Sequence, residues 1–259
     1  MTYSLALRAT EERKEHHQEP SLVSSHEAEF AKQGSDVSEA RTVALGIMEN
    51  VTTLEDHTLV AHRLSELRSV ESDQNRFGSL VSTITSALAH EAFRNLPSKP
   101  VLIDTPVLAG APGTAVLDEI VVVPILRAGL GMAPAIQEAL PSTRLACVGL
   151  KRNEATLQPD LYFDGLPGDL TGVTVVICDP MLATGGSLGY VAAMVQERGA
   201  SKVVALCILA SQEGLARFVS AHPNVKVVVA AVDPELNNHG FIVPGLGDAG
   251  DRLFGLPVR

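Results

Sequence analysis

The stretch Val173-Thr174-Val175-Val176-Ile177-Cys178-Asp179-Pro180-Met181-Leu182-Ala183-Thr184-Gly185-Gly186-Ser187 decides the fold. Six apolar or β-branched residues read as a strand covered on both faces. The run ends in an acid, passes through a turn of small residues and enters a helical stretch from Ser187 to Arg198. Outward from this unit the same grammar repeats. Ile120 to Leu126, Leu145 to Leu150, Val203 to Leu209 and Val225 to Val232 are further compact strands, while Gly131 to Leu140 and Gln212 to Ala221 read as helices. Alternating β and α elements predict an α/β fold with a mainly parallel sheet flanked by helices, and such sheets bind ligands at the carboxyl ends of their strands.

Before residue 100 the apolar period is helical. Leu59, Leu64 and Leu67, then Phe77, Leu80, Val81, Ile84, Leu88 and Phe93, predict two N-terminal helices broken near Ser72 and Asp73. Residues 1–48 are polar, with EERKEHHQE and SSHEAEFAKQGSD, and read as a poorly ordered tail ahead of one domain over 49–259. The Asn50-Val51-Thr52 triplet matches a glycosylation acceptor, but with no secretion signal it reads as chance.

Composition bounds the function. With 259 residues and 46% hydrophobic content, the chain can bury a large core. Its formal charge of −10 argues against a nucleic acid or anionic membrane partner, so any phosphate must be held by local groups. Cys147, Cys178 and Cys207 sit in apolar runs without metal-ligand spacing, which predicts buried thiols, no protein-only metal site and a reducing compartment. No apolar run approaches the about 18 residues of a spanning helix, and the first residues resemble neither a signal nor a transit peptide, so a cytoplasmic location is expected.

The 179–187 loop has the chemistry of a sugar-phosphate site. Gly185 and Gly186 let backbone N–H groups converge on a phosphate, Thr184 and Ser187 add hydroxyls, and the helix dipole favours the anion. Asp179 can accept hydrogen bonds from the vicinal hydroxyls of a ribose. The bland alternative is an ordinary βα turn with a serine N-cap.

DPMLATGGS resembles the phosphoribosyl-pyrophosphate (PRPP) loop of the uracil phosphoribosyltransferase family, in which Pro180 stands where many other phosphoribosyltransferases carry a second acid. The resemblance continues in VVVPILRAGLGM (121–132), KRNEATLQPDLYF (151–163) and NNHGFIVPGLGDAGDRLFG (237–255), four motifs in the family's order. It implies the type I phosphoribosyltransferase fold with a hood, transfer of phosphoribose from PRPP to uracil giving UMP and pyrophosphate, and Mg²⁺ brought in with PRPP. A homo-oligomer, dimer or tetramer, is also expected. For PRPP the resemblance implies Arg127, Arg152, Asp248 and the loop residues Asp179, Pro180, Met181, Leu182, Ala183, Thr184, Gly185, Gly186 and Ser187. For uracil it implies Ile242, Gly247, Asp248 and Ala249.

Each motif also makes physical sense unaided. The Pro124–Gly131 stretch exposes backbone N–H groups beside Arg127, which suits a pyrophosphate, against the alternative of a glycine-rich turn with a solvated arginine. Lys151-Arg152-Asn153-Glu154 places a second arginine at a strand end, and the Pro- and Gly-rich stretch 155–168 has the composition of a mobile hood. Gly240 to Asp251 is too rich in Gly and Pro to be a regular element, so its backbone groups are free to read the acceptor–donor–acceptor edge of uracil. Arg127, Arg152 and Asp248 are the expected catalytic residues, with Asp248 the nearest candidate for a general base. Lys151 and Phe241 replace an aromatic and a tyrosine common in the family, and His90 and Phe93 stand where a tyrosine and a threonine are common. Two other readings are a transferase for another base, which the C-terminal loop disfavours, and a non-catalytic PRPP-sensing regulator, which the acidic charge disfavours if it binds RNA.

Overall fold

The computed structural model describes residues 49–152 and 159–255. The tail read over 1–48 and residues 153–158, which include the start of the expected hood, lie outside the described residues.

Strand β1 (Val51–Thr53) is followed by α1 (Thr58–Arg68) and α2 (Gln74–Phe93), then by a hairpin of β2 (Ser98–Ile103) and β3 (Ala111–Val116). Next come β4 (Glu119–Leu126), a 3₁₀ turn over Ala128–Gly131, α3 (Ala133–Ala139), β5 (Arg144–Leu145), β6 (Val148–Arg152) and β7 (Pro159–Asp164). The chain continues through β8 (Val173–Cys178), β9 (Met181–Leu182), α4 (Gly186–Glu197), β10 (Lys202–Ser211), α5 (Gln212–Ala221) and β11 (Lys226–Asp233). It ends with β12 (Glu235–Leu236), β13 (Ile242–Val243) and α6 (Ala249–Phe254).

The central sheet runs β1-β11-β10-β8-β4-β6-β7, parallel throughout except for the antiparallel β6–β7 pair. From β4 the chain steps through α3 to β6 on one side, then returns to β8 on the other and proceeds through α4 to β10. The gap between the ends of β4 and β8 is therefore the topological switch point, where parallel sheets open a crevice.

Period-two alternation divides the sheet's side chains between its faces. Ile120, Val122, Val176, Cys178, Leu206, Ile208, Val228 and Ala230 form one core with the stripe Phe77, Leu80, Val81, Ile84 and Leu88 of α2. Asp73 starts that helix by accepting the amide of Arg76, as the break near Ser72 and Asp73 predicts. Each of these α2 side chains is at most 1% exposed, so truncation to alanine should cost about 2–5 kcal/mol.

Three local expectations are corrected and a fourth, the Gly131 to Leu140 helix, is shortened. Leu145 to Leu150 is two short strands, β5 and β6, both paired to β4. The Gly131 to Leu140 helix is a 3₁₀ turn followed by α3, which starts with a proline in its first turn. The hood is not wholly irregular: 159–164 pairs with β6, and Arg198 at the end of α4 binds Asp164 and donates to the carbonyls of Leu166 and Pro167. Three of its flanking residues, Gly165, Pro167 and Gly168, masked that strand. Finally, β13 and the start of α6 lie inside the Gly240–Asp251 motif, because Asp248 accepts the amide of Asp251 and so caps a helix there. Among the described residues no helix is long and apolar enough to cross a membrane.

Candidate active site

At the switch point a cavity of about 290 Å³ is lined by Ala128 from the loop after β4, by Asp179, Met181 and Ala183 from the loop after β8, and by residues 239–242 and 247–250. Three motifs, spread over more than a hundred residues of chain, thus meet in one cleft. Of the residues expected at the base, Ile242, Gly247, Asp248 and Ala249 all line it.

The 179–187 loop departs from the ordinary βα turn. The cap of α4 is Gly185, in the left-handed region at φ 80°, and it makes no side-chain hydrogen bond to the first turn. Ser187 lies one residue inside the helix rather than capping it. The first-turn N–H groups therefore have no capping side chain, and an anion can serve them. Thr184 is half-buried beside them. Pro180 and Leu182 turn into the protein: Leu182 pairs with β10 and is only 1% exposed, so it can offer a ligand backbone groups alone, while Pro180 has no N–H and its carbonyl accepts the amides of Ile208 and Leu209.

Asp179 follows β8 and accepts the amide of Met181 at 3.3 Å. Burial outweighs that bond and pushes its carboxyl up to about 7. A carboxylate so penalised is relieved by any ligand that brings hydroxyl donors or a cation.

The loop is held from below by residues that the sequence did not single out. Ser211, fully buried at the end of β10, donates to the carbonyl of Ala183 at 2.6 Å and accepts the amide of Gly214 at 2.9 Å. A Cβ on Gly214 would collide with that same carbonyl, which is why α5 can approach so closely. Gly129 plays the corresponding part in the loop after β4, where a Cβ would collide with the carbonyl of Cys178. The Leu126–Arg127 peptide beside it is cis.

Arg127 extends from this loop, 56% exposed, with Nη2 at 3.3 Å from Oδ1 of Asp251. Arg152 ends β6, and its side chain lies outside the described residues. Asp248 lines the cleft but is partly engaged as the cap of α6. Phe241 also lines it and is 44% exposed. Lys151 is exposed on β6, while His90 and Phe93 lie near the end of α2 and outside the cleft lining. The thiols stay out of the chemistry: Cys178 and Cys207 are fully buried and burial raises both well above the usual thiol range, with a smaller rise at the less buried Cys147.

A mainly parallel α/β sheet with a glycine-rich loop, a strand-end acid and an irregular loop facing them has the layout of a sugar-phosphate-handling protein. Residues 54–256 match the family model for uracil phosphoribosyltransferase. The uracil phosphoribosyltransferase of Clostridium perfringens is 42% identical over 208 residues, covering 80% of this chain and 99% of the relative. That of Dictyoglomus turgidum is 43% identical over 201 residues, covering 77% and 97%. The solved structure of the AQ2163 protein from Aquifex aeolicus is 33% identical, with a TM-score of 0.76 over 81% of this chain and all of that one. The chain belongs to the uracil phosphoribosyltransferase family, and its architecture is the type I phosphoribosyltransferase fold with a hood and N-terminal helices.

Proposed function

We infer that the enzyme transfers the phosphoribosyl group of PRPP to N1 of uracil, releasing pyrophosphate and giving UMP in pyrimidine salvage. The carrying observation is the single cleft that joins Asp179, Met181 and Ala183 to the backbone-rich segment 239–250. The 5′-phosphate sits on Thr184 to Ser187 at the uncapped start of α4, and the ribose hydroxyls donate to Asp179. Uracil lies against Ile242 and Gly247 to Ala249, with Asp248 facing both substrates. In the reaction a bond forms between uracil N1 and the anomeric carbon as the bond from that carbon to pyrophosphate breaks, and the N1 proton passes to Asp248, the nearest base in the cleft, or to the departing pyrophosphate. The transition state resembles an oxocarbenium ion, so placement and charge stabilisation matter more than a nucleophile. Arg127 and Arg152 stabilise charge growing on the leaving pyrophosphate.

Mg²⁺ fits this site as a companion of PRPP. Asp179, whose negative charge is disfavoured by burial, is the strand-end group whose ionisation a nearby cation would favour. When bound, the ion neutralises pyrophosphate charge. Residues 49–259 form the catalytic unit, the location is cytoplasmic, and nucleic acid and membranes are not partners. Self-association to a dimer or tetramer is supported by the β2–β3 hairpin, which leaves Leu102 77%, Val107 95% and Leu108 60% exposed.

A base panel tests the reading. Purified enzyme with Mg²⁺ and PRPP is expected to convert uracil in strong preference to cytosine, hypoxanthine and orotate. Preferential turnover of any other base would overturn it.

A further inference from the structure

The segment that faces the base has few side-chain anchors of its own, yet its path is fixed from outside the cleft. Asp233, the last residue of β11 and 4% exposed, accepts the amide of Gly245 at 2.9 Å. Arg68, at the end of α1, binds both oxygens of Asp233, each at 2.7 Å, and with Nη1 also donates to the carbonyl of Gly245 at 2.7 Å. Both backbone groups of Gly245 are thus gripped by one bidentate ion pair. Gly245 is in the left-handed region at φ 63°, and a Cβ there would collide with the carbonyl of Ile242.

One residue on, Arg252 takes over. Its Nη1 donates to the carbonyls of Leu246 at 2.9 Å and Leu67 at 2.8 Å, and its Nη2 to those of Ser69 and Ser72. Its guanidinium lies 4.3 Å over the ring of Phe77. Two consecutive carbonyls, those of Gly245 and Leu246, are therefore turned away from the cleft and onto arginines, immediately before Gly247, Asp248 and Ala249 line it. Neither Arg68, Asp233 nor Arg252 lines the cleft.

We propose that the Arg68–Asp233 pair is a positioning device for base recognition: by gripping Gly245 it sets which backbone donors and acceptors of residues 247–249 face the pyrimidine edge. The inference rests on the uracil reading of the cleft. A lysine at 68 has a single ammonium in place of the planar fork, so it cannot bind Asp233 bidentately and hold the Gly245 carbonyl at once. The base loop then loses its register, whereas the phosphate loop, built on β8, α4 and Ser211, does not.

Arg68→Lys and Asp233→Asn are compared with wild type by steady-state kinetics, PRPP titration and thermal melting. The asparagine keeps an oxygen for the Gly245 amide but leaves the arginine without its charged partner. The expected result for each is a uracil KM raised about tenfold, kcat and PRPP affinity within about twofold of wild type, and a smaller uracil-to-cytosine preference. A folded variant whose uracil KM and base preference stay unmoved, or whose kcat falls with KM unchanged, overturns the proposal. Should Arg68→Lys not fold, Asp233→Asn decides alone, and if neither folds the pair is purely structural and the proposal fails. Wild-type turnover separates the two levels: no uracil turnover by wild type sinks the reading of the cleft, whereas uracil turnover that both variants match sinks the positioning role.

Discussion

Replacing Asp179 with asparagine should separate what the site needs for binding from what the unliganded fold prefers. Burial raises the Asp179 carboxyl to about 7. Because its folded pKa lies above its unfolded value, the free protein is most stable on this account below pH 4 and loses that contribution as pH rises through 7. The rise of about three units corresponds to about 4 kcal/mol at most. The asparagine side chain cannot ionise and retains an oxygen for the Met181 amide, so at pH 8 the unliganded variant should melt a few degrees higher than wild type. Binding runs the other way. Charge-assisted hydrogen bonds from ribose hydroxyls are worth about 1.5–3 kcal/mol each, so PRPP affinity of the variant should fall at least about tenfold at pH 8. In wild type the ionised fraction of Asp179 falls from about 0.9 at pH 8 to about 0.1 at pH 6, so its advantage over the variant should shrink about tenfold across that range. Isothermal titration of both proteins with PRPP at the two pH values, beside thermal melts, reads all of this. The titration of the PRPP phosphates is common to both proteins and cancels in the ratio. An unchanged PRPP affinity at pH 8, or a wild-type advantage that does not vary with pH, would refute the assignment of Asp179.

Gly247→Val should abolish uracil binding while PRPP titration changes little; the cause is the backbone at φ 80°, since the nearest atom to a Cβ there is Cδ of Arg252 at 3.8 Å. Retention of full uracil turnover by that variant would contradict it. Gly214→Ala should act on the other half of the cleft, because its Cβ meets the Ala183 carbonyl; a PRPP affinity reduced about tenfold or more and a lowered melting temperature are expected, and a wild-type titration would count against the Ser211–Gly214 support. A chain lacking residues 1–48 should keep wild-type kcat and KM for uracil, and a folded truncation with most of its turnover lost would show that the tail serves catalysis.

The central strands were legible because burial on both faces demands near-continuous β-branched runs, and Val173–Cys178 reads so without help from its neighbours. The two N-terminal helices were legible from period and from the Asp73 cap. Elements that draw their order from partners were not. Val51–Thr53 becomes a strand only by pairing with Val227–Val229 far along the chain, and the β2–β3 hairpin is ordered by its own pairing while Leu102 and Ile103 stay exposed, so no burial pattern announces it. The same distinction holds at the site. Glycines and acids at strand ends point to the 179–187 loop locally, but Arg68 and Asp233 are 165 residues apart and nothing in either neighbourhood announces their pairing. Ser211 likewise reads as a plain helix cap until Ala183 is seen above it.

The central claim is that one cleft brings PRPP and uracil together for transfer. It is tested most directly by incubating the enzyme with PRPP and Mg²⁺, with and without uracil, and measuring pyrophosphate and UMP in the same samples. Pyrophosphate released only when uracil is present, in equal amount to UMP, is the predicted result; release without uracil, or none with it, would contradict the account.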